Sequence, residues 1–224
     1  MIPWVHLGSA QIPDSDTELR LMRRGEEFSI MSGGIELMNS RMSNSEKVLA
    51  SAACERLAGR GTPRMLIGGL GMGFTLRAAL AELPPQAQVV VAELVPAVVA
   101  WARGPMAHIF DGSLEDPRVR VEEADVGRLI VGATGAYDAI LLDVDNGPGG
   151  LSREENDSLY SLEGLRAAAK ALKPGGLLAV WSSGPSNEFA RRLRTTGYQV
   201  EEVRAHANRR GKGARHVIWI ATRP

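Results

Sequence analysis

The rhythm of apolar and polar positions changes near residue 43. Before it, short apolar-rich runs at Glu18–Arg23, Glu26–Met31 and Ile35–Asn39 are separated by Arg24-Gly25 and Ser32-Gly33-Gly34. Runs of that length between glycine turns predict three short strands in a small antiparallel meander. The first 16 residues, with two prolines and mixed polar groups, predict an irregular arm. From Ser43 onward the period lengthens. Ser43-Asn44-Ser45-Glu46 fits a capping box, and Val48, Leu49, Ala52, Ala53 and Leu57 follow at helical spacing.

Strand and helix patterns then alternate. Strands are predicted at 64–68, 88–93, 119–123, 137–143 and 176–183, and helices at 74–83, 94–103, 126–132, 154–172 (broken near Ser161) and 187–196. The strands are almost continuously apolar, which requires burial on both faces, as in a parallel sheet covered by helices. Right-handed crossovers make this a doubly wound, Rossmann-like α/β fold. The last two strands, YQVEEVRA and HVIWIATR, are joined by ten residues, Asn208 to Arg215 forming the turn. No crossover helix fits there, so they predict a C-terminal antiparallel hairpin, the mark of the methyltransferase type. The boundary falls after 42: an arm and meander over 1–42, a nucleoside-binding domain over 43–224.

Composition narrows the function classes. Lys+Arg and Asp+Glu both number 26, so no net field draws the chain to nucleic acid or membrane. Cys54 is the single cysteine, on an apolar-periodic helix, and reads as a core residue. The four histidines are too scattered for metal-ligand spacing, and no metal is expected. With neither a secretory leader nor an apolar run long enough to span a bilayer, the expectation is a cytoplasmic protein.

Candidate chemistry lies at the strand ends. Gly68, Gly69, Gly71 and Gly73 form a loop between the first parallel strand and the next helix. Such a loop lets backbone approach a ligand closely, while the helix start offers free N–H donors. Glu93 closes the following strand 20 residues after Gly73, placed to accept from ribose hydroxyls. The spacing G-x-G-x-G departs from the dinucleotide fingerprint G-x-G-x-x-G, and with the terminal hairpin it fits an adenosyl-sulfonium ligand. Asp125, ending EEAD, is placed to accept from adenine or to cap the helix that follows. The run Tyr137–Leu142 delivers Asp143 to the carboxyl edge of the sheet, with Asp145 and Asn146 beyond it in a glycine-rich loop.

Taken in order, IGGLGMG, AEL, EEAD, YDAILLDVDNGP and LYSLEGLRAAAKALKPGG resemble the spermidine synthases, the polyamine aminopropyltransferases. The resemblance runs from about Ser45 to the C-terminus, and the meander resembles a shortened form of that family's N-terminal β domain. It implies a transferase that moves an aminopropyl group from decarboxylated S-adenosylmethionine to a small amine acceptor, a diamine or polyamine. Glu93 would hold the ribose, Asp125 the adenine, and Asp143 would be the catalytic carboxylate; Asp145, on the loop that follows, is a second catalytic candidate from its position rather than from the resemblance. Homodimers are compatible with it, and a membrane or nucleic-acid partner is not expected. Three positions depart from the family pattern. Gly71 replaces an aspartate that contacts the aminopropyl chain, Asn146 stands where the second aspartate of the acidic loop belongs, and Asn44-Ser45-Glu46 replaces a tyrosine-histidine-glutamate stretch. The cofactor half is thus better kept than the acceptor half. Methyl transfer from intact S-adenosylmethionine remains the alternative, and a non-catalytic nucleoside-binding protein the third reading.

Other features take plainer readings. The basic stretch Arg209 to Arg215 reads as a solvated hairpin tip, and Trp101, Trp181 and Trp219 as core. Trp4 is free to cover a ligand or a neighbouring subunit. Tyr160 reads as a buried tyrosine more than as an acceptor contact.

Overall fold

The computed structural model describes residues 2–144, 147–148, 158–207 and 214–224. Two sheets organise the chain. The first is antiparallel and four-stranded, in the order β1 (Val5–Gln11), β2 (Glu18–Arg24), β3 (Glu27–Ser32), β4 (Ile35–Asn39). The meander therefore has a fourth strand where an irregular arm was expected. The alternation of β1 is hidden because its register to β2 shifts between His6 and Gly8, so the side chains change face midway. As an edge strand it is also mostly exposed and lacks the apolar signal of a buried one.

The second sheet has seven strands in the order β10-β11-β9-β8-β5-β6-β7. These are β5 (Arg64–Gly68), β6 (Gln88–Glu93), β7 (Val119–Glu123), β8 (Tyr137–Leu142), β9 (Leu172–Ser182), β10 (Gln199–His206) and β11 (Arg215–Thr222). Strands β5 to β9 are parallel to one another, and β11 runs antiparallel to both β9 and β10, as the closing hairpin required. The helices are α1 (Asn44–Arg56), α2 (Phe74–Glu82), α3 (Pro96–Arg103), α4 (Ala107–Phe110), α5 (Val126–Val131), α6 (Leu162–Ala171) and α7 (Asn187–Thr195). The break near Ser161 is an N-cap: its hydroxyl accepts from Gly164 N at 3.1 Å and starts α6. The four-residue α4 was not predicted, because one turn is too short to show a period. Residues 154–157 of the long predicted helix lie outside the described residues.

Every residue of β8 is buried, as its unbroken apolar run demands. Asp138 is the polar exception, 3% exposed. It accepts from Arg60 Nη1 at 2.5 Å, Lys173 Nζ at 2.7 Å and Arg64 N at 2.8 Å, tying β8 to β5 and β9 at their amino ends. Burial opposes its charge, but the Lys173, Arg64 and Arg60 bonds prevail and hold the carboxyl below its ordinary range.

One core cluster continues from the small sheet (Leu21, Phe28, Ile30) through α1 and α2 to one face of the large sheet (Ile67, Leu141, Ala179). Cys54 belongs to it, its thiol pushed up to about 12 by burial and then by Glu82, which makes it inert at neutral pH. The small sheet is thus packed across the carboxyl edge of the large one. Among the described residues no helix is long and apolar enough to cross a membrane.

Candidate active site

Sheet order decides where the site lies. Beyond β5 the chain goes to β6 on one side and β8 on the other, leaving a crevice at the carboxyl ends of these strands. A cavity of about 300 Å³ occupies that crevice and is roofed by the small sheet. Its wall includes Gly69, Gly71, Glu93, Asp125 and Asp143 from the large domain, and Ile12, Leu19, Ile35, Leu37 and Met38 from the roof. Five side-chain or backbone positions singled out in the sequence therefore meet in one space. Gly68 and Gly73 do not line it. Gly68 ends β5 against Val126, and a Cβ on Gly73 would lie 2.4 Å from the Phe110 ring, so both serve packing.

Gly69 is the close-approach glycine. Its φ is +90°, and a Cβ there would stand 2.4 Å from the backbone oxygen of Asp143. Asp143 N in turn donates to Gly68 O at 3.0 Å. The glycine loop and the end of β8 are locked backbone to backbone.

Glu93 is 8% exposed and does more than face a ligand. Its oxygens accept from Leu70 N at 3.0 Å and Val95 N at 2.9 Å, with further backbone bonds from Gly71 and Leu94. Burial raises its carboxyl, and those bonds counter the rise. It therefore shapes the glycine loop while lining the cavity. Asp125 likewise has two tasks. It caps α5, accepting from Gly127 N at 2.5 Å and Arg128 N at 3.2 Å, and it borders the cavity beside Glu93.

Asp143 accepts the hydroxyl proton of Thr75 at 2.7 Å. Its carboxyl is raised to about 7, first by burial and then by the charge of Glu46, with the Thr75 bond opposing. A carboxyl near 7 is poised to exchange protons at physiological pH. Glu46 is where the structure departs from expectation. Ser43 is the N-cap of α1 but makes no side-chain cap bond, so the capping box does not form. Glu46 instead accepts from Ser45 Oγ at 2.7 Å, and burial raises it too. A carboxylate read as structural thus stands in the field of Asp143.

In the sequence Glu46 reads as a capping residue, and Thr75 was not singled out. Thr75 is the first polar residue of the helix after the glycine loop, and that position, facing the end of the adjacent strand, was the available signal. Asp145 and Asn146, and most of the basic stretch from Arg209, lie outside the described residues. Tyr160 is buried on the other face of the sheet, edge-on to Phe189 at 5.8 Å. Trp4 lies under the Arg24 guanidinium at 4.7 Å and does not line the cavity. Trp219 is core, whereas Trp181 is half-buried at the sheet edge.

No family model matches the chain. Over 201 residues it is 30% identical to a protein of Mycobacterium tuberculosis named polyamine aminopropyltransferase, an alignment that covers 84% of this chain and 36% of that one. The chain is a relative of the polyamine aminopropyltransferases. It spans about a third of the length of that curated relative. Its fold matches a spermidine synthase solved with the transition-state analogue AdoDATO, with TM-score 0.74 and 17% identity over 98% of this chain and 72% of the other. The fold is shared beyond the aminopropyltransferases: a precorrin-6y methyltransferase of Geobacter metallireducens superposes with TM-score 0.54 and 15% identity, covering 78% of this chain and 87% of the other. Among the described residues no cluster of His, Cys, Asp and Glu could hold a metal ion.

Proposed function

We propose that this chain transfers an aminopropyl group from decarboxylated S-adenosylmethionine to an amine acceptor. The observation that carries the reading is the cavity itself. It gathers Glu93 and Asp125, suited to ribose and adenine, with Asp143 at the strand edge, in a relative of the polyamine aminopropyltransferases.

Asp143 performs two tasks in this reaction. As a carboxylate it attracts the acceptor's ammonium, and as a base it removes the proton that blocks the nitrogen lone pair. The freed amine attacks the carbon next to sulfur, forming a C–N bond. The C–S bond breaks with its electron pair going to sulfur, leaving methylthioadenosine. A sulfonium is already a good leaving group, so the protein contributes alignment, a dry seat and proton removal.

One observation favours a second reading. A Cβ on Gly71 would meet only Met38 Sδ at 3.5 Å, so this part of the wall is open and carries no acid. Intact S-adenosylmethionine, with its own carboxylate, would meet no repulsion there, and methyl transfer would then follow. Incubation with each donor and a panel of amines separates the two readings by product. Methylthioadenosine marks aminopropyl transfer, and S-adenosylhomocysteine marks methyl transfer. Neither product, with tight nucleoside binding, would leave a binding protein only.

A further inference from the structure

The roof strand β4 stands across the glycine loop from the end of β8. A Cβ on Gly69 would lie 2.4 Å from Asp143 O and 3.5 Å from Val144 Cα, while one on Gly71 would lie 3.5 Å from Met38 Sδ. The loop therefore has the end of β8 on one side and β4 on the other. Asp143 and Val144 from β8, and Ile35 and Leu37 from β4, line the same cavity. Ile35 and Leu37 differ from the rest of the apolar roof. They are 69% and 40% exposed, whereas Ile12 and Leu19 are buried. A large apolar side chain that lines a cavity and also meets water stands at its mouth. Apolar surface held open to water at such a place marks a ligand contact.

The charges of the cavity are unevenly free. Glu93 is turned to backbone N–H groups of Leu70 and Val95, and Asp125 to the first turn of α5. Asp143 is bonded to Thr75 through Oδ2, and Oδ1 is left for an ammonium. Among the described residues these three carry the carboxyls of the cavity wall. Glu36 lies between Ile35 and Leu37 on β4 but on the other face of the sheet. There it accepts from Ser29 at 2.8 Å, Asn39 at 2.9 Å and Arg41 at 3.1 Å. Thr17 and Ser32, the polar side chains of the roof within the cavity, are neutral.

We propose that the acceptor is an amine with one cationic end and an apolar body, an alkylamine or arylalkylamine, whose nitrogen meets Asp143 and whose body lies along Val144, Leu37 and Ile35. The proposal rests on the transferase reading above. The bond changes are the ones given there: Asp143 takes a proton from the ammonium, the nitrogen forms the new C–N bond, and the C–S pair stays with sulfur. The products are a secondary amine and methylthioadenosine. An apolar body takes the exposed surface of Ile35 and Leu37 out of water and loses little hydration of its own. A diamine would set its second ammonium against those same side chains, stripped of water with no carboxylate to receive it.

The test compares aminohexane, aminobutane and diaminobutane as acceptors, with decarboxylated S-adenosylmethionine as donor and methylthioadenosine as the product measured. From aminobutane to aminohexane kcat/KM should rise about tenfold, as two further methylenes leave water. Aminobutane should exceed diaminobutane by about tenfold or more, because the second ammonium finds no partner. Ile35→Ser combined with Leu37→Ser should flatten the gain with chain length to within about threefold, chiefly through KM. Leu37→Asp places a carboxylate at the mouth and should bring diaminobutane level with aminobutane or above it. Methylthioadenosine affinity, measured by calorimetry, shows that each variant is folded with its nucleoside site intact. A wild-type preference for the diamine, or a gain with chain length that both variants keep, overturns the proposal and leaves the transferase reading in place. If nucleoside binds but no amine yields methylthioadenosine, the transferase reading falls and takes this one with it.

Discussion

The hydroxyl of Thr75 donates to the carboxylate of Asp143 at 2.7 Å, joining the first turn of α2 to the end of β8. That bond stabilises the charged form of Asp143, while burial and Glu46 oppose it. Burial and two neighbours thus set the protonation of one carboxyl.

If Asp143 is the base, turnover should require its ionised form and rise with pH through a midpoint near 7. Glu46→Gln removes a repelling charge and should move that midpoint to lower pH. Thr75→Val removes the stabilising bond and should move it to higher pH. Rate–pH profiles of kcat/KM in the two variants check both directions, and shifts of the same sign would contradict the arrangement.

Asp143→Asn should lower turnover by ~10²–10⁴-fold, as expected for loss of a positioned proton acceptor. Donor affinity should stay within about tenfold, because Glu93 and Asp125 line another part of the cavity. Single-turnover rates and calorimetric titration on the same preparation separate the two effects.

Glu93→Ala should weaken nucleoside binding by about 1–3 kcal/mol, the cost of leaving buried partners unmade. It should also lower Tm, because Leu70 N and Val95 N lose their acceptor. A variant with unchanged affinity and a lowered Tm would assign Glu93 to the loop alone.

Gly71→Asp should weaken binding of the intact donor more than that of the decarboxylated one, since the new carboxylate repels one tail and attracts the other. The site has room for the side chain, and φ of +51° lies in the left-handed region that aspartate tolerates better than most residues. Paired titrations with both donors provide the ratio.

The large sheet was legible because its central strands β5, β6, β8 and β9 carry nearly unbroken apolar runs, and because the short connection between the last two strands leaves room only for a hairpin. Asp143 was legible for the same reason, being the first polar residue after such a run. β1 was hidden by its register shift and its exposure. The role of Glu46 was hidden by competition: a glutamate three residues past a serine satisfies a local capping rule, and only the tertiary fold shows that Ser43 does not use it.

Asp138→Asn should cost about 3 kcal/mol, toward the low end for breaking a buried ion pair because Arg60 and Lys173 are partly wetted. Its carboxyl is held below the unfolded value, so its contribution is complete above the unfolded pKa of about 4 and disappears as pH falls through the folded one. Denaturant titrations of wild type and variant should therefore diverge at neutral pH and converge in acid.

Asp138 and Asp143 stand at opposite ends of β8, one holding the strand in place and the other facing the cavity. Folding free energy is small enough that a chain usually cannot spend much of it on new chemistry. Here the ion-pair anchor is remote from the residues that line the cavity. Replacements around Asp143 leave that anchor untouched, so the carboxyl edge of the sheet can vary by drift without first acquiring compensating mutations at the amino edge.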